Sequence, residues 1–577
     1  MTGPSGQPVA SSDDDHEWSP TGIAANPSSW SMRSRIIVAL VVAVGTLLVV
    51  SSVVGVFGDV YGAADQGDGP RLMCSADLVA IGRPAQLAFE VPVLQTQYRR
   101  VASVCASRFP TSRFVVLQIA ALGTGTFDLR WLGFVEISLL AAVAGLGALL
   151  LSARGWSGFV VATFVLITVA APAFARFFVS PLEESSGMVG AVALLLGAAA
   201  IFSANDPRPS WERRTALALT WFGAAYGGFA KPPYVGMALV GVAVLATHKG
   251  IPGRWITRPR PLARYLPGIS LALLLLVCTG LYLTASNHWA RVERQHGVRT
   301  QDVNTHHFVF VGAVPELERA GLTLQAIGLS RDLQFAVNTP FYGHDEQLLS
   351  SKSWVDAIQR NDSATRQRVT VAVLEHPSVL WKFVREAVFA SRQVDISDLP
   401  ANAVGKVAHR TPLRRALDLP VHISAWLLSR WHGAFGLLAM LISLAAPFAV
   451  APVSRRRRRR NTTRTDYEWL SRTTAVAALA ALSTYILAVF GGGYWDLGKH
   501  VLPATYFATI VLLLLPFTIW ATVRELVSRD VSTTPTELQP AFVLELGEPA
   551  SAGIALTTDV TDRNPQAEDP VEGPRTR

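Results

Sequence analysis

The feature that most limits what this chain can become is its series of uninterrupted apolar runs, the first from Ile36 to Phe57. A helix of about 20 apolar residues crosses a hydrocarbon core about 30 Å thick, and runs of that length have no place in an ordinary soluble core. Composition agrees. Half of the 577 residues are hydrophobic and 16% are charged, too apolar a balance for a water-soluble chain of this length. Runs at about 36–57, 132–152, 158–176, 187–203, 214–229, 233–248, 266–286, 424–450, 473–491 and 501–522 predict an all-α polytopic membrane protein with about ten transmembrane helices. The fifth and sixth are one apolar stretch broken at Lys231-Pro232-Pro233, and read either as two spans or as a re-entrant pair.

Positive charge in short loops sets the orientation. With the amino terminus inside, the inner segments carry Arg33 and Arg35, Arg154, Arg208, Arg213 and Arg214, then Lys249, Arg254, Arg258, Arg260 and Arg264, and finally Arg455 to Arg460, whereas the short outer turns carry only Arg176, Lys231 and Lys499. Both termini are therefore expected in the cytoplasm. The net charge of +9 is mostly this topology signal, reinforced by anionic lipid, and does not call for nucleic acid. Arg-, Ala- and Val-rich usage suggests a high-GC bacterium and thus the bacterial inner (cell) membrane.

The expected organisation is a disordered cytoplasmic start (1–33), a first helix retained as a signal anchor (34–57), a first extracytoplasmic loop (58–131), helices two to seven (132–286), a large extracytoplasmic loop (287–423), helices eight to ten (424–522) and a disordered tail (523–577). The two outer regions read as mixed, mainly helical structure. Pro92 to Phe109, with Tyr98, Arg99 and Arg100, reads as an amphipathic helix at the membrane surface, and Pro377 separates two helical patterns, Asp356 to Leu374 and Ser378 to Arg392. Cys74 and Cys105 share the first outer loop on an oxidising face. Their bonding stays open, because sequence does not reveal how close their Cβ atoms come. Cys278 lies within the seventh span as a packing residue, and no Cys/His spacing suited to a metal occurs.

Chemistry concentrates at the outer boundary. The first loop begins with Asp59, Asp65 and Asp68 in a Gly-rich stretch; Asp65 and Asp68 read either as exposed functional carboxylates or as ordinary turn residues. Glu183 and Glu184 occupy a very short turn beside the bilayer, where two carboxylates are costly unless used, or where they favour a helix start. Lys231 stands at a helix break, as a phosphate contact or a snorkelling anchor. In the last outer turn Lys499 and His500 are candidates for an anionic headgroup, and Tyr494 and Trp495 read as interfacial belt residues. Acids and cations at one face, without a nucleotide-binding loop, suit a lipid-linked substrate carrying phosphate. Sugar transfer from such a donor needs a carboxylate to take the acceptor proton and cations to stabilise the departing phosphate.

Three short motifs, Asp65-Gln66-Gly67-Asp68-Gly69, Pro181-Leu182-Glu183-Glu184 and Asp496-Leu497-Gly498-Lys499-His500, together with the topology over about 36–522, resemble the GT-C superfamily of polyprenyl-phosphate-sugar-dependent glycosyltransferases, in particular the bacterial hexosyltransferase-like proteins of surface-glycan assembly. Asn304 to Phe310 adds weaker support and reads as a surface strand. The resemblance implies a catalytic base at Asp68, with Asp65 as its competitor, acceptor or ion positioning by Glu183 and Glu184, and lipid-phosphate binding by Lys231, Lys499 and His500. It also implies an inverting glycosyltransferase acting on a polyprenyl-phosphate sugar and an envelope glycan acceptor, with a divalent cation as an open question. The competing functions are a transporter or flippase of a lipid-linked glycan, motivated by the broken helix, and a non-catalytic envelope-assembly subunit.

Overall fold

The computed structural model describes residues 30–64, 69–81, 94–101, 105, 108–123, 125–203, 210–247, 265–296, 299–394, 411–459 and 467–527. The amino-terminal stretch, the tail beyond residue 527, and Asp65 and Asp68 lie outside the described residues.

The apolar runs form helices with identifiable ends. Helix α1 (Met32–Val54) opens on Ser31, whose hydroxyl accepts the Ser34 amide, and closes at Gly55. Gly55 has φ of +68°, and a Cβ there would stand 1.9 Å from the Asp59 carbonyl oxygen. In the first outer region follow α2 (Gly69–Ser75), strands β1 (Leu78–Ala80) and β2 (Gln97–Arg100), α3 (Arg113–Ala120) and β3 (Thr126–Asp128). The strands pair antiparallel in the order β1-β2-β3, with Tyr98 opposite Phe127.

The remaining long helices are α4 (Leu129–Leu151), α5 (Trp156–Ala170), α6 (Glu184–Ser203), α7 (Ser210–Gly228), α8 (Val235–Thr247) and α9 (Leu266–Gln295). After α10 (Thr300–His306), α11 (Asp362–Glu375) and α12 (Pro377–Phe389) come α13 (Pro412–Ser429), α14 (Ala434–Arg459), α15 (Tyr467–Gly492) and α16 (Leu502–Val527). Among the described residues six helices, α1, α4, α6, α9, α15 and α16, are long and apolar enough to cross a membrane. Two bent pairs raise the number to eight if each is one span: α5 with the segment Pro172–Val179, bent by 60°, and α13 with α14, bent by 99°. The chain is thus a mainly helical multi-pass membrane protein, its helices interrupted by the small sheet of the first outer region. The expected fifth and sixth crossings are where the expectation of ten departs from what is seen. Helix α7 has Glu212, Arg213 and Arg214 in its first turns, and α8 has only 13 residues.

Helix α6 is buried along nearly its whole length and forms the centre. Small residues let α7 press against it. A Cβ on Gly190 would fall 2.3 Å from the Gly227 Cα, and one on Gly223 would fall 2.2 Å from the Leu194 nitrogen. By contrast, α1 and α9 present Ile37, Leu40, Val41, Leu273, Val277 and Leu281 outward, the surface expected of helices that face lipid.

The helix ends sort into two groups. At one end Arg35 joins Glu212 at 2.8 Å and donates to the Leu149 carbonyl at 2.8 Å. At the other, the Ala63 amide donates to the Arg176 carbonyl at 3.1 Å, the Ser112 amide to the Phe229 carbonyl at 2.9 Å, and Arg176 Nη2 to the carbonyl of Val394, the last described residue of 299–394, at 3.3 Å.

Two local expectations are corrected. Tyr98, Arg99 and Arg100 lie on β2 rather than on a surface helix; Tyr98 is buried against Phe127 while Arg99 and Arg100 are exposed, and antiparallel pairing with β1 and β3 on either side makes the segment a strand. Asn304 to Phe310 is no surface strand. It is the end of α10 followed by a π-helical segment, His307–Ala313, with Phe308, Val309 and Phe310 fully buried. Such wide turns recur at functional sites.

Cys74 and Cys105 are bonded, with Cα atoms 5.4 Å apart, and Cys278 is free. The unreduced, denatured protein should therefore accept one equivalent of maleimide and the reduced protein three, read by intact mass; three before reduction would refute the bond.

Candidate functional site

The site is built on a buried ion pair. Arg113, from α3, and Glu136, from α4, are both fully buried and joined by two hydrogen bonds, Nε to Oε1 at 3.0 Å and Nη2 to Oε2 at 2.8 Å. A buried carboxylate inside an apolar helix is tolerable only with such a partner. Arg113 Nη1 also donates to the carbonyls of Ser180 and Leu182, and Ser186 donates to Glu136 Oε1 at 3.2 Å. The pair thereby holds the short turn that ends in Glu183 and Glu184.

Glu184 is the first residue of α6 and fully buried; its Oε1 accepts from Lys231 Nζ at 3.0 Å, and its Oε2 has no hydrogen-bond partner among the described residues. Glu183 is buried beside it. Lys231 occupies the break between α7 and α8. There the prolines Pro232 and Pro233 start a 3-10 turn and Lys231 itself is extended, at φ −154° and ψ 145°.

In front of this pair lies a cavity of about 300 Å³. Its wall includes four basic side chains, Arg71, Lys231, Arg366 and His500, and among the described residues no carboxylate. Arg71 comes from α2, a few residues after Asp68. Arg366 comes from α11, where its guanidinium lies over the Phe308 ring at 5.3 Å and donates to the Phe490 carbonyl. Leu283, Ser286, Asn287 and Ala290 of the lipid-facing α9 close one side. A space with this lining attracts an anion, and α9 puts it within reach of a lipid.

The structure thus brings Glu184, Lys231 and His500 to one place. Lys499 is not in the cavity wall: it is buried and paired with Asp496 at 2.8 Å. Asp65 and Asp68 lie outside the described residues. Their flanks are described: Gly62, whose Cβ would meet the Val179 carbonyl oxygen at 1.9 Å, and Ala63 run against the segment preceding Glu183, while Gly69 starts the helix that brings Arg71 to the cavity. Among the described residues no three His, Cys, Asp or Glu side chains gather as a metal site.

Sequence reasoning missed Arg71, Arg113, Glu136 and Arg366. Glu136 had a signal, a lone acid within an apolar run. Arg366 had none, because it meets the cavity only through tertiary packing.

Two further histidines border the site. His306 accepts from Trp354 Nε1 at its Nδ1, 2.9 Å, so Nε2 carries the proton and donates to the Thr339 carbonyl at 2.7 Å. His307 Nε2 accepts the Phe341 amide at 3.1 Å. Burial pushes His306 down to about 4; burial, with His306 and His500 nearby, pushes His307 down to about 3.

The sequence model of the family described as YfdI N-terminal transmembrane domain matches residues 26–535 of the chain. No curated protein and no solved structure matches it significantly.

Because both histidines have folded pKa values below the unfolded value of about 6.5, the unfolded chain binds more protons between those values. Stability is then full above about pH 6.5 and falls as pH drops, by about 1.4 kcal/mol per pH unit per histidine until the folded values are reached. Thermal melts in nanodiscs from pH 7.5 to 5 should show the decline, and H306N/H307N should flatten it; an equally steep decline in that variant would rule out the histidines as its source. Breaking the buried pair singly, as R113M or E136M, should cost about 3–5 kcal/mol, whereas the double replacement should cost less than the two single losses combined. Additive losses in chemical denaturation would show that the pair is not coupled.

Proposed function

The chain belongs to the YfdI N-terminal transmembrane domain family, and from that premise we propose that it is an inverting GT-C-type glycosyltransferase that moves a sugar from a polyprenyl-phosphate donor to an envelope glycan acceptor. The observation that carries this reading is the cavity of about 300 Å³ with Arg71, Lys231, Arg366 and His500 in its wall, beside the lipid-facing α9, with Lys231 held by the buried Glu184. In this reading the cavity opens at the extracytoplasmic face of a bacterial inner membrane, both termini are cytoplasmic, and α7 and α8 complete ten crossings around the break at Lys231.

The donor phosphate sits among the four basic groups. Asp68, with Asp65 as competitor, takes the proton of an acceptor sugar hydroxyl. The hydroxyl oxygen bonds to the anomeric carbon as the bond from that carbon to the phosphate oxygen breaks, and configuration inverts. The lipid phosphate leaves with the electron pair, its charge stabilised by Lys231, Arg71, Arg366 and His500. Glu184 keeps Lys231 in place, and Glu183 and Glu184 together position the acceptor or a divalent ion. Lys499, paired with Asp496, supports the turn that carries His500.

The direct test is transfer of radiolabelled sugar from polyprenyl-phosphate donors in membranes, at matched expression. Asp68→Asn should lower transfer by about 10²–10⁴-fold, and Lys231→Ala should weaken donor use. Undiminished transfer after single replacement of Asp68, Asp65, Glu183 and Glu184 would sink the assignment. No transfer with any donor would favour the flippase reading, for which the helix break at Lys231 is the supporting observation.

A further inference from the structure

One aromatic group beside the cavity has a geometry that membrane anchoring does not explain. Trp495 lies on the turn between α15 and α16, and its indole stacks on the His307 ring, centroids 5.1 Å apart at 29°. Tyr342, from the distant 299–394 segment, approaches both rings, at 5.8 Å from His307 and 6.2 Å from Trp495. His307 is buried beneath them, whereas Trp495 is 39% and Tyr342 48% exposed. The three therefore form one shelf with a buried base and two open edges.

The shelf is held rigidly. The turn is pinned on both sides of Trp495 by left-handed residues, Gly493 at φ +63° and Asp496 at φ +51°. A Cβ on Gly493 would meet the His307 carbonyl oxygen at 2.3 Å, so the turn sits directly on the π-helical segment. Asp496 is not a glycine, and its left-handed conformation costs energy that its ion pair with Lys499 helps to offset. His307 is fastened from below by the Phe341 amide, the residue before Tyr342. An interfacial belt residue needs only an amphipathic ring at the right depth; it does not need a partner ring from another segment, a buried histidine beneath it or a strained turn.

The shelf and the cavity share a turn. Gly491, Gly492 and His500, from the turn that carries Trp495, line the cavity, and Gly493 of that turn sits against the carbonyl of His307, the base of the shelf. A sugar esterified to a phosphate has its ring one bond beyond the phosphate oxygen. A pyranose presents a face of C–H groups, which complements the electron-rich face of an aromatic ring, while its hydroxyls point outward to polar partners.

We propose that Trp495 and Tyr342, on the base provided by His307, form a pyranose-binding subsite that takes the sugar next to the phosphate held in the basic cavity. This rests on the glycosyltransferase reading for the identity of the phosphate ligand. The shared chemistry is a pyranose ring, which arrives either on the donor lipid or on the acceptor glycan.

The test measures binding, so it does not depend on turnover. The purified full-length protein in nanodiscs is titrated with undecaprenyl phosphate, with undecaprenyl-phosphate glucose and with a free glucose oligosaccharide. Wild type should prefer the sugar-bearing lipid to the bare lipid phosphate. In Trp495→Ala and Tyr342→Ala that preference should fall by about 5- to 10-fold, while affinity for the bare phosphate lipid stays unchanged; Trp495→Phe should retain most of it. Lys231→Ala should weaken both lipids. If the two alanine variants lose only the free oligosaccharide, the shelf serves the acceptor ring. If they keep wild-type affinity for every sugar ligand, with only thermal stability lowered, the residues are anchors and the subsite does not exist. Failure of wild type to bind either lipid would overturn the phosphate reading, and sugar binding to the shelf would then be judged on the free oligosaccharide alone.

Discussion

The Arg113–Glu136 pair is the contact on which the rest of the site depends. A carboxylate and a guanidinium buried without solvent are costly, and the cost is recovered only because every strong donor of Arg113 is used: two on Glu136 and others on the carbonyls of the following outer turn. One residue of the first outer region thereby fixes α4, the turn at 178–182 and the start of α6. Glu184 follows from that turn, and Lys231 follows from Glu184. The chain of contacts runs from a buried ion pair to the edge of an anion-binding cavity.

The same contacts explain why the first outer region is more than a cover. It supplies Arg113 to the foundation and Arg71 to the cavity wall, and its disulfide joins α2 to the strand-bearing segment. The second outer region supplies Arg366 from above and the π-helical segment that carries His307. The basic lining is therefore shared by four separate stretches of chain, 69–75, 231–233, 362–375 and 491–500, so that its charges come together only in the folded protein.

Much of the helical architecture was legible in advance, for physical reasons particular to membranes. A run such as Ile36 to Phe57 has one stable fate in lipid, and its ends are marked by Ser31 and Gly55. Where the reading failed, competing forces were local. The stretch Gln97–Arg100 carries both aromatic and basic residues, which suit a surface helix and an edge strand alike; pairing with Phe127 decided for the strand. Asn304 to Phe310 ends in the aromatic and β-branched run Phe308-Val309-Phe310, which suits a strand, yet burial against α15 draws it into a helical turn of wide pitch.

By itself, the sequence determined that this chain lives in a membrane, where most of its helices run, and that acids and cations gather near their ends. Those facts depend on local composition, which lipid reads residue by residue. Only the tertiary structure decided which of those charges meet. It set Lys499 apart on Asp496, joined Lys231 to Glu184, and added Arg71 and Arg366 to a cavity that the sequence does not show. The reason is that a salt bridge or a cavity wall is a relation between distant segments, fixed by how helices pack, and no pattern within one segment encodes it.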